Sequence, residues 1–445
     1  MNKNYYLTAL KMAWPSVLES FFIALAGMID TMMVGSLGSY AIAAVGLTTQ
    51  PKFLALAIFI SINIAVSSLV ARRRGQKDKI GANSVFLTAM ILTLVLCLIF
   101  SFITVFFASD IIHLAGSQPD THSSAVLYYQ IIMGGMVFNL IAMTINAAQR
   151  GSGNTKIAFV TNLTSSVLNV FFNYLLIGGK FGFPALGIKG AAIATVLGSV
   201  VAMFMSVRSL FKPHSLIQVS YLLKNKVHFD FTVAKSISKL SSSMYIENLA
   251  MRIGFLATAL TAASLGTSTF AIHNAGMNIL GLGFSFADGM QVAAVALAGK
   301  ALGEEKPKVA IEFGQICQRI GLIISIILSA FLFFFGRDIM GIYFKDPQLI
   351  ERSIIVIQFT MVIVLLQISQ IIYAGCLRSG GDVKYTLFVG IISASIIRTA
   401  VTLILVNVFQ LGLAGIWIGV LSDQFSRFIL MRHRFKAGKW TQIKI

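Results

Sequence analysis

The sequence is poor in charge, and above all in negative charge. Only 11% of its 445 residues are charged, and Asp and Glu together number 16. Soluble globular chains carry roughly 25% charged residues. The shortage excludes a disordered chain and most soluble enzymes. Cysteine is also scarce. Cys97, Cys317 and Cys376 all lie in apolar stretches, which leaves no disulfide framework and no cysteine-based metal cluster. The phosphate-binding GxxxxGKS/T pattern, the HExxH zinc pattern and an acylating Ser/His/Asp group are missing as well. The chain therefore reads as a non-enzyme without a cofactor, and any uphill work it does must draw on an ion gradient.

What the chain has is hydrophobic length. Apolar residues make up 57% of it, and a helix crosses a bilayer core in about 20 residues. Twelve runs of that size stand out: 13–34, 51–71, 85–108, 125–148, 157–178, 187–207, 240–264, 275–299, 315–336, 353–375, 386–408 and 412–431. The short alternating segments of a β-barrel do not occur. Span 1 is too long for a cleavable signal and carries Asp30. The expected fold is an all-α membrane protein.

The net charge of +19 would suggest nucleic acid on a soluble chain. Here it follows topology. With the N-terminus inside, 27 of the 35 Lys and Arg residues fall in inside segments, notably Arg72, Arg73, Arg74, Lys77 and Lys79, and the tail from Arg427 to Lys444. Only Lys180, Lys189, Arg337, Lys345 and Arg352 fall outside. Cytoplasmic loops hold the excess of basic residues, so both termini are expected in the cytoplasm. The expectation is a multi-pass, monomeric protein of the plasma (inner) membrane, in contact with lipid and small organic substrates and not with nucleic acid.

The second half repeats the first. A shift of 228 places Glu247 on Glu19, Ser264-Leu265-Gly266 on Ser36-Leu37-Gly38, Gly303 on Gly75, Pro347 on Pro119 and Arg378 on Arg150. Near the end the shift becomes 225, which places Leu411-Gly412-Leu413-Ala414-Gly415 on Leu186-Gly187-Ile188-Lys189-Gly190. Six spans per copy give both copies one orientation, related by a pseudo-two-fold along the membrane normal. The expected layout is an N-terminal lobe at 1–207, a cytoplasmic linker at 208–239 and a C-terminal lobe at 240–445, with a central cavity between six-helix lobes.

Five acidic residues lie inside apolar runs: Glu19, Asp30, Glu247, Asp288 and Asp423. Each costs on the order of 3 kcal/mol at mid-bilayer unless it meets a cavity or a partner. Glu19 and Asp30 project from one face of span 1, and Pro15 at its head allows a bend. Asp30 has Thr258 as its repeat partner, so the second copy lacks this carboxylate. Span 5 carries Asn162, Asn169 and Asn173 on one face, where the second copy has Gly390, Ile397 and Val401. One carboxylate beside several amides suits a proton relay or a small cation such as Na+ at Asp30, Asn169 and Asn173, or else plain inter-helix hydrogen bonding. In the second copy, Glu247 and Arg252 lie on span 7 and Arg398 on span 11, and Arg398 is a reasonable partner for Glu247 if those spans pack. Asn274, Asn278, Ser285 and Asp288 share one face of span 8, so Asp288 is a candidate for a second-lobe cavity. His273 beside them reads as a satisfied helix-end residue. Asp423 and Arg427 are spaced to pair within one helix.

Several segments together resemble the multidrug and toxic compound extrusion (MATE) family. They are Pro15 with Glu19, Asp30-Thr31-Met32-Met33-Val34-Gly35 followed by Leu37-Gly38, Gln149-Arg150-Gly151-Ser152-Gly153-Asn154-Thr155, and Leu186-Gly187-Ile188-Lys189-Gly190-Ala191-Ala192. Ser264-Leu265-Gly266-Thr267, Leu377-Arg378-Ser379-Gly380-Gly381-Asp382, and Glu247 with Arg252 and His273 add to them. The resemblance implies twelve helices around a V-shaped cavity and export of organic, often cationic amphipathic compounds against H+ or Na+. It carries the coupling site onto Asp30, Asn169, Asn173 and Thr195. Asn173 stands where some relatives have Asp, and span 10 offers Gln367 and Gln370 where one branch has a carboxylate. In the implied cycle the ion neutralises Asp30 and span 1 bends or repacks at Pro15 and Gly27. The alternative within the wider superfamily is a flippase for lipid-linked oligosaccharides, for which Arg252 and Arg398 supply too little positive charge.

Overall fold

A computed structural model describes residues 3–213 and 215–443, and Lys444 of the basic tail lies outside them. Every regular element among the described residues is helical. The elements are α1 (Lys3–Gly35), α2 (Ser39–Gly75), α3 (Lys79–Phe106), α4 (Ala108–Leu114), α5 (Pro119–Gly134), α6 (Met136–Gly151), α7 (Thr155–Ile177), α8 (Gly187–Ser209) and α9 (Val219–Lys224). The second half supplies α10 (Phe231–Ser264), α11 (Thr267–Gly303), α12 (Pro307–Tyr343), α13 (Pro347–Ser379), α14 (Val383–Gly390), α15 (Arg398–Asn407) and α16 (Gly412–Lys436).

Among the described residues, ten helices are long and apolar enough to cross a membrane by length and composition. The pair α5 and α6, bent by 44° at Gly135, makes an eleventh span. The twelfth is α10, whose 34 residues suffice in length but which carries Lys235, Lys239, Glu247 and Arg252. The twelve-helix layout thus holds, with span 7 its most polar member.

The duplication is visible in the backbone. Gly38 and Gly266, equivalent under the shift of 228, precede α2 and α11 with φ of 115° and 107°. Gly153 and Gly381, equivalent too, both have φ of 88°. These φ values are open to glycine and strained for other residues, so the repeated glycines mark repeated turns. The linker residues lie on the start of α3. Asn83 donates to the Leu216 carbonyl at 2.9 Å and accepts from the Gln218 amide at 3.2 Å, and Asp230 donates its amide to Thr88 Oγ1 at 3.1 Å.

The chain divides into two compact units, Leu18–Ser242 and Met1–Val17 with Ser243–Ile445. The two helices that open the repeats, α1 and α10, are each divided between the units. In the second-half unit the first turns of α1 pack through Tyr5 on Phe313, with ring centres 4.8 Å apart, and through the Tyr6 hydroxyl, which accepts from Arg319 at 2.8 Å. The core of that unit is built on Trp417, Phe435 and Trp440, and that of the other on Phe59, Tyr129, Met133 and Leu140.

The copies differ most in span 11. Its equivalent α7 is a regular α-helix, whereas Ile391–Ile397 between α14 and α15 forms a π-helical stretch. The wider turn rotates everything beyond it relative to an α-helix. The Ala394 carbonyl in this stretch lies against Gly254 of α10, where a Cβ would collide with the carbonyl oxygen. The first copy has Ala26 at the equivalent position. Gly254→Ala should therefore destabilise the purified protein by roughly 1–3 kcal/mol, the cost of overpacking. The control is Gly27→Ala, which meets no heavy atom within 4 Å and should leave the melting temperature in detergent unchanged.

Candidate functional site

In the first-half unit, α1 and α7 run parallel and are joined by two rungs of identical register. Asn162 Nδ2 donates to Glu19 Oε1 at 2.5 Å, and Asn173 Nδ2 donates to Asp30 Oδ1 at 2.5 Å. The rungs are about three helical turns apart on both helices. The asparagine stripe of span 5 is thus divided, with Asn162 serving Glu19 and the other two serving Asp30.

The Glu19 rung is closed by a full charge. Arg150, in the last turn of α6, donates to the same Glu19 oxygen. The Asp30 rung is held by neutral groups. Asn169 Oδ1 lies 3.5 Å from Asn173 Nδ2, Asn169 Nδ2 donates to Thr195 Oγ1 at 3.1 Å, and Thr195 is anchored on the Ala191 carbonyl at 3.0 Å. The structure thereby brings Asp30, Asn169, Asn173 and Thr195 into one chain of contacts. Asn173 is fully buried, and its Oδ1 has no partner among the described residues. Asp30, Asn169 and Thr195 are half-buried. Among the described residues no group of three or more His, Cys, Asp or Glu gathers to hold a metal ion. A cation at this site would therefore meet one carboxylate and neutral oxygens from Asn169, Asn173 and Thr195.

Lys52, on α2 just after Pro51, acts on Asp30 through its charge. The sequence signal for it was a lysine inside a span, yet nothing in the spacing aimed it at Asp30.

The second-half unit repeats the closed rung and not the open one. Arg378 Nη2 donates to Glu247 Oε1 at 2.8 Å, and Thr386 Oγ1 donates to Glu247 Oε2 at 3.1 Å. Gly390, equivalent to Asn162, leaves the space that the Glu247 side chain fills. The expected pairing of Glu247 with Arg398 is corrected here. Arg398 bonds Asp423 at 3.5 Å and donates to Thr258 Oγ1 at 3.1 Å, with its guanidinium 4.5 Å from the centre of the Phe255 ring. The physical reason is height along the helices: Arg398 stands at the level of Thr258, about three turns beyond Glu247 on α10, while Glu247 lies against Gly390. Asp423 also accepts two hydrogen bonds from Arg427, at 2.6 and 2.9 Å, as their spacing suggested. Arg252 is half-buried on α10, and Asp288 is exposed on α11. His273 lies in the second turn of α11, edge-on to Trp417 with ring centres 5.9 Å apart. Its Nδ1 has no partner among the described residues, so it is not the satisfied helix-end residue expected.

Pro15 and Gly27 both sit within the single helix α1. Pro15 lies before both rungs, and Gly27 lies between them in open space.

Two helical repeats with carboxylates and amides held inside spanning helices are the frame of a multi-span membrane transporter. The MatE family profile matches residues 15–175 and again 244–404, one match in each copy, and the chain belongs to the MatE family. It is 29% identical over 442 residues to a probable multidrug resistance protein NorM of Thermotoga maritima, covering 97% of this chain and 92% of that one. It is 25% identical to the uncharacterized transporter YisQ of Bacillus subtilis, covering 99% and 96%. A crystal structure of a MATE transporter in its straight conformation shares the fold with a TM-score of 0.90 at 22% identity, over 98% of this chain and 97% of that one. The protein is accordingly a transporter and not an enzyme.

The paired Glu and Arg residues carry a stability expectation. Removing one partner of a buried ion pair costs on the order of 3–5 kcal/mol. Arg378→Ala, which strands Glu247, should lower the thermal midpoint in detergent strongly, and the double change Glu247→Gln with Arg378→Ala should recover part of the loss. An Arg378→Ala protein as stable as wild type would show that the pair does not hold α10 to α13.

Proposed function

We propose that this transporter exports organic, often cationic amphipathic compounds by alternating access, in exchange for H+ or Na+ taken up at Asp30. The observation that carries the reading is the Asp30 rung. A carboxylate inside a spanning helix is held there by amides and a hydroxyl, with one buried amide oxygen left over. Such a group can take a proton directly. It can also take a small cation if the Asn173 amide turns its oxygen instead of its nitrogen towards the site. Either event removes the charge that Asn173 and Lys52 now stabilise, so it must shift the equilibrium of any conformation that depends on that rung. The names of the NorM relatives support multidrug compounds as cargo. The excess of basic residues in alternate loops supports cytoplasmic termini in a plasma membrane. The domain reading that goes with this is a lobe at 1–207, a linker at 208–239 and a lobe at 240–445.

Purified protein in liposomes should drive ethidium out of its loaded compartment only under an imposed gradient, and separate Na+ and H+ gradients will name the ion. Asp30→Asn should reduce that efflux to the level of empty vesicles while leaving the melting temperature near that of wild type. Unchanged efflux in this variant would remove Asp30 from the coupling role. Lys52→Gln should tighten the apparent affinity for the coupling ion several-fold, because it removes a tethered cation that competes for Asp30. A weaker affinity would mean that Lys52 instead positions the carboxylate.

A further inference from the structure

Helix α11 is buried on nearly every face but one. His273, Ala275, Gly276, Ile279, Leu280, Gly283, Ala287, Gly289 and Met290 are all buried. The remaining strip is Asn274, Asn278, Gly281, Ser285 and Asp288, spaced four, three, four and three residues apart, which keeps one face of an α-helix. Asn274, Asn278 and Asp288 are exposed, and Gly281 and Ser285 are half-buried. Gly281, at the middle of the strip, has no heavy atom within 4 Å of where a Cβ would stand.

The polar groups of this strip have little to satisfy them. Among the described residues the side chains of Asn274, Asn278 and Asp288 make no hydrogen bond or ion pair. Ser285 spends its proton on the Gly281 carbonyl at 3.2 Å, which leaves its oxygen free to accept. Arg378 acts on Asp288 by its charge, but that guanidinium is bonded to Glu247 at 2.8 Å. Leu282, 37% exposed, flanks the strip with apolar surface. An unpaired carboxylate and two unpaired amides facing hydrocarbon would be strongly unfavourable, so the strip faces water or a ligand. Nor does the fold require it. The equivalent positions of α2 are Gly46, Gln50, Phe53, Ala57 and Ile60, and that copy forms the same helix without a carboxylate.

We propose that this face of α11 is a subsite for the transported compound, with Asp288 receiving the charged nitrogen of an organic cation. Ser285 and Asn278 accept hydrogen bonds from its N–H groups, and the open stretch at Gly281 and Leu282 receives its apolar body. The inference rests on the export reading and names which half of the chain selects for positive charge.

Equilibrium binding of ethidium to the purified full-length protein in detergent, read by fluorescence, tests it. Asp288→Asn keeps the shape and removes the charge. It should raise the Kd at least about tenfold, while Asp288→Glu should stay within about threefold of wild type. Because Asp288 makes no hydrogen bond or ion pair among the described residues, both variants should melt within about 2 °C of wild type. Ethidium binding in Asp288→Asn equal to wild type would overturn the proposal. So would a wild-type protein that does not bind ethidium, or an Asp288→Asn protein whose weaker binding comes with a marked fall in melting temperature. If ethidium binds through Asp288 but no ion gradient drives its efflux, the antiport reading falls and the subsite stands.

Discussion

A carboxylate inside a membrane-spanning helix has to be compensated, and each half of this protein rests on one such compensation. Glu19 and Glu247 are each only 3% exposed, and each is bound by the arginine that ends the fourth span of its copy, Arg150 or Arg378. The charge could not remain in place without that partner. The pair therefore fixes the opening helix of a repeat against a helix more than a hundred residues away. A second donor on the fifth span, Asn162 or Thr386, completes each carboxylate. The repeat preserves these ion pairs together with the glycines of its turns, which is what a duplicated scaffold needs.

The side chains that the repeat does not preserve are the ones with chemistry left over. In the first-half unit the unmatched groups sit on α7, where Asn169 and Asn173 attend Asp30. In the second-half unit the same helix position is interrupted by the π-helical stretch, and Thr258, equivalent to Asp30, accepts from Arg398. Where one copy presents a negative group served by amides, the other holds a positive group in a fully buried network with Asp423 and Arg427. The second copy places its unpaired carboxylate on a different helix, at Asp288. The duplication supplied two similar frames, and the polar functions were installed on different elements of each.

Much of this was legible in the residues. The twelve spans follow from apolar runs of bilayer length, and the repeat follows from glycines and charges that recur under one shift. The four residues Asp30, Asn169, Asn173 and Thr195 do come into contact. The partner of Glu247 was misread even though the alignment contained the answer, with Arg378 on Arg150 just as Glu247 lies on Glu19. Helical spacing says which residues share a face and does not say which neighbour that face meets. The π-helical stretch left no trace in the sequence, because i→i+5 bonding has no residue signature of its own. Arg398 stands at the level of Thr258, about three turns beyond Glu247, and so meets Asp423 instead. The division of α1 and α10 between units was equally hidden, since an unbroken apolar run carries no mark of where its packing partner changes.

The two rungs between α1 and α7 differ in one respect that bears on movement. The Glu19 rung contains a full ion pair, and opening it would expose a carboxylate and a guanidinium to an apolar surround. The Asp30 rung contains one formal charge bonded to a neutral amide, with Lys52 acting on it through charge alone, so a proton or a cation can take the place of the amide without breaking a direct ion pair. Of the two, only the Asp30 rung can exchange partners without breaking a direct ion pair. A change that begins there must be absorbed by the α1 segment between the rungs, because the Glu19 end stays fixed. Gly27 lies in that segment with open space where a side chain would be. Pro15 lies on the far side of the fixed rung, in the part of α1 that packs with the second-half unit. A bend at Gly27 would require release of the Asp30 rung alone, whereas a bend driven from Asp30 to Pro15 would have to be transmitted past an intact Glu19–Arg150 pair.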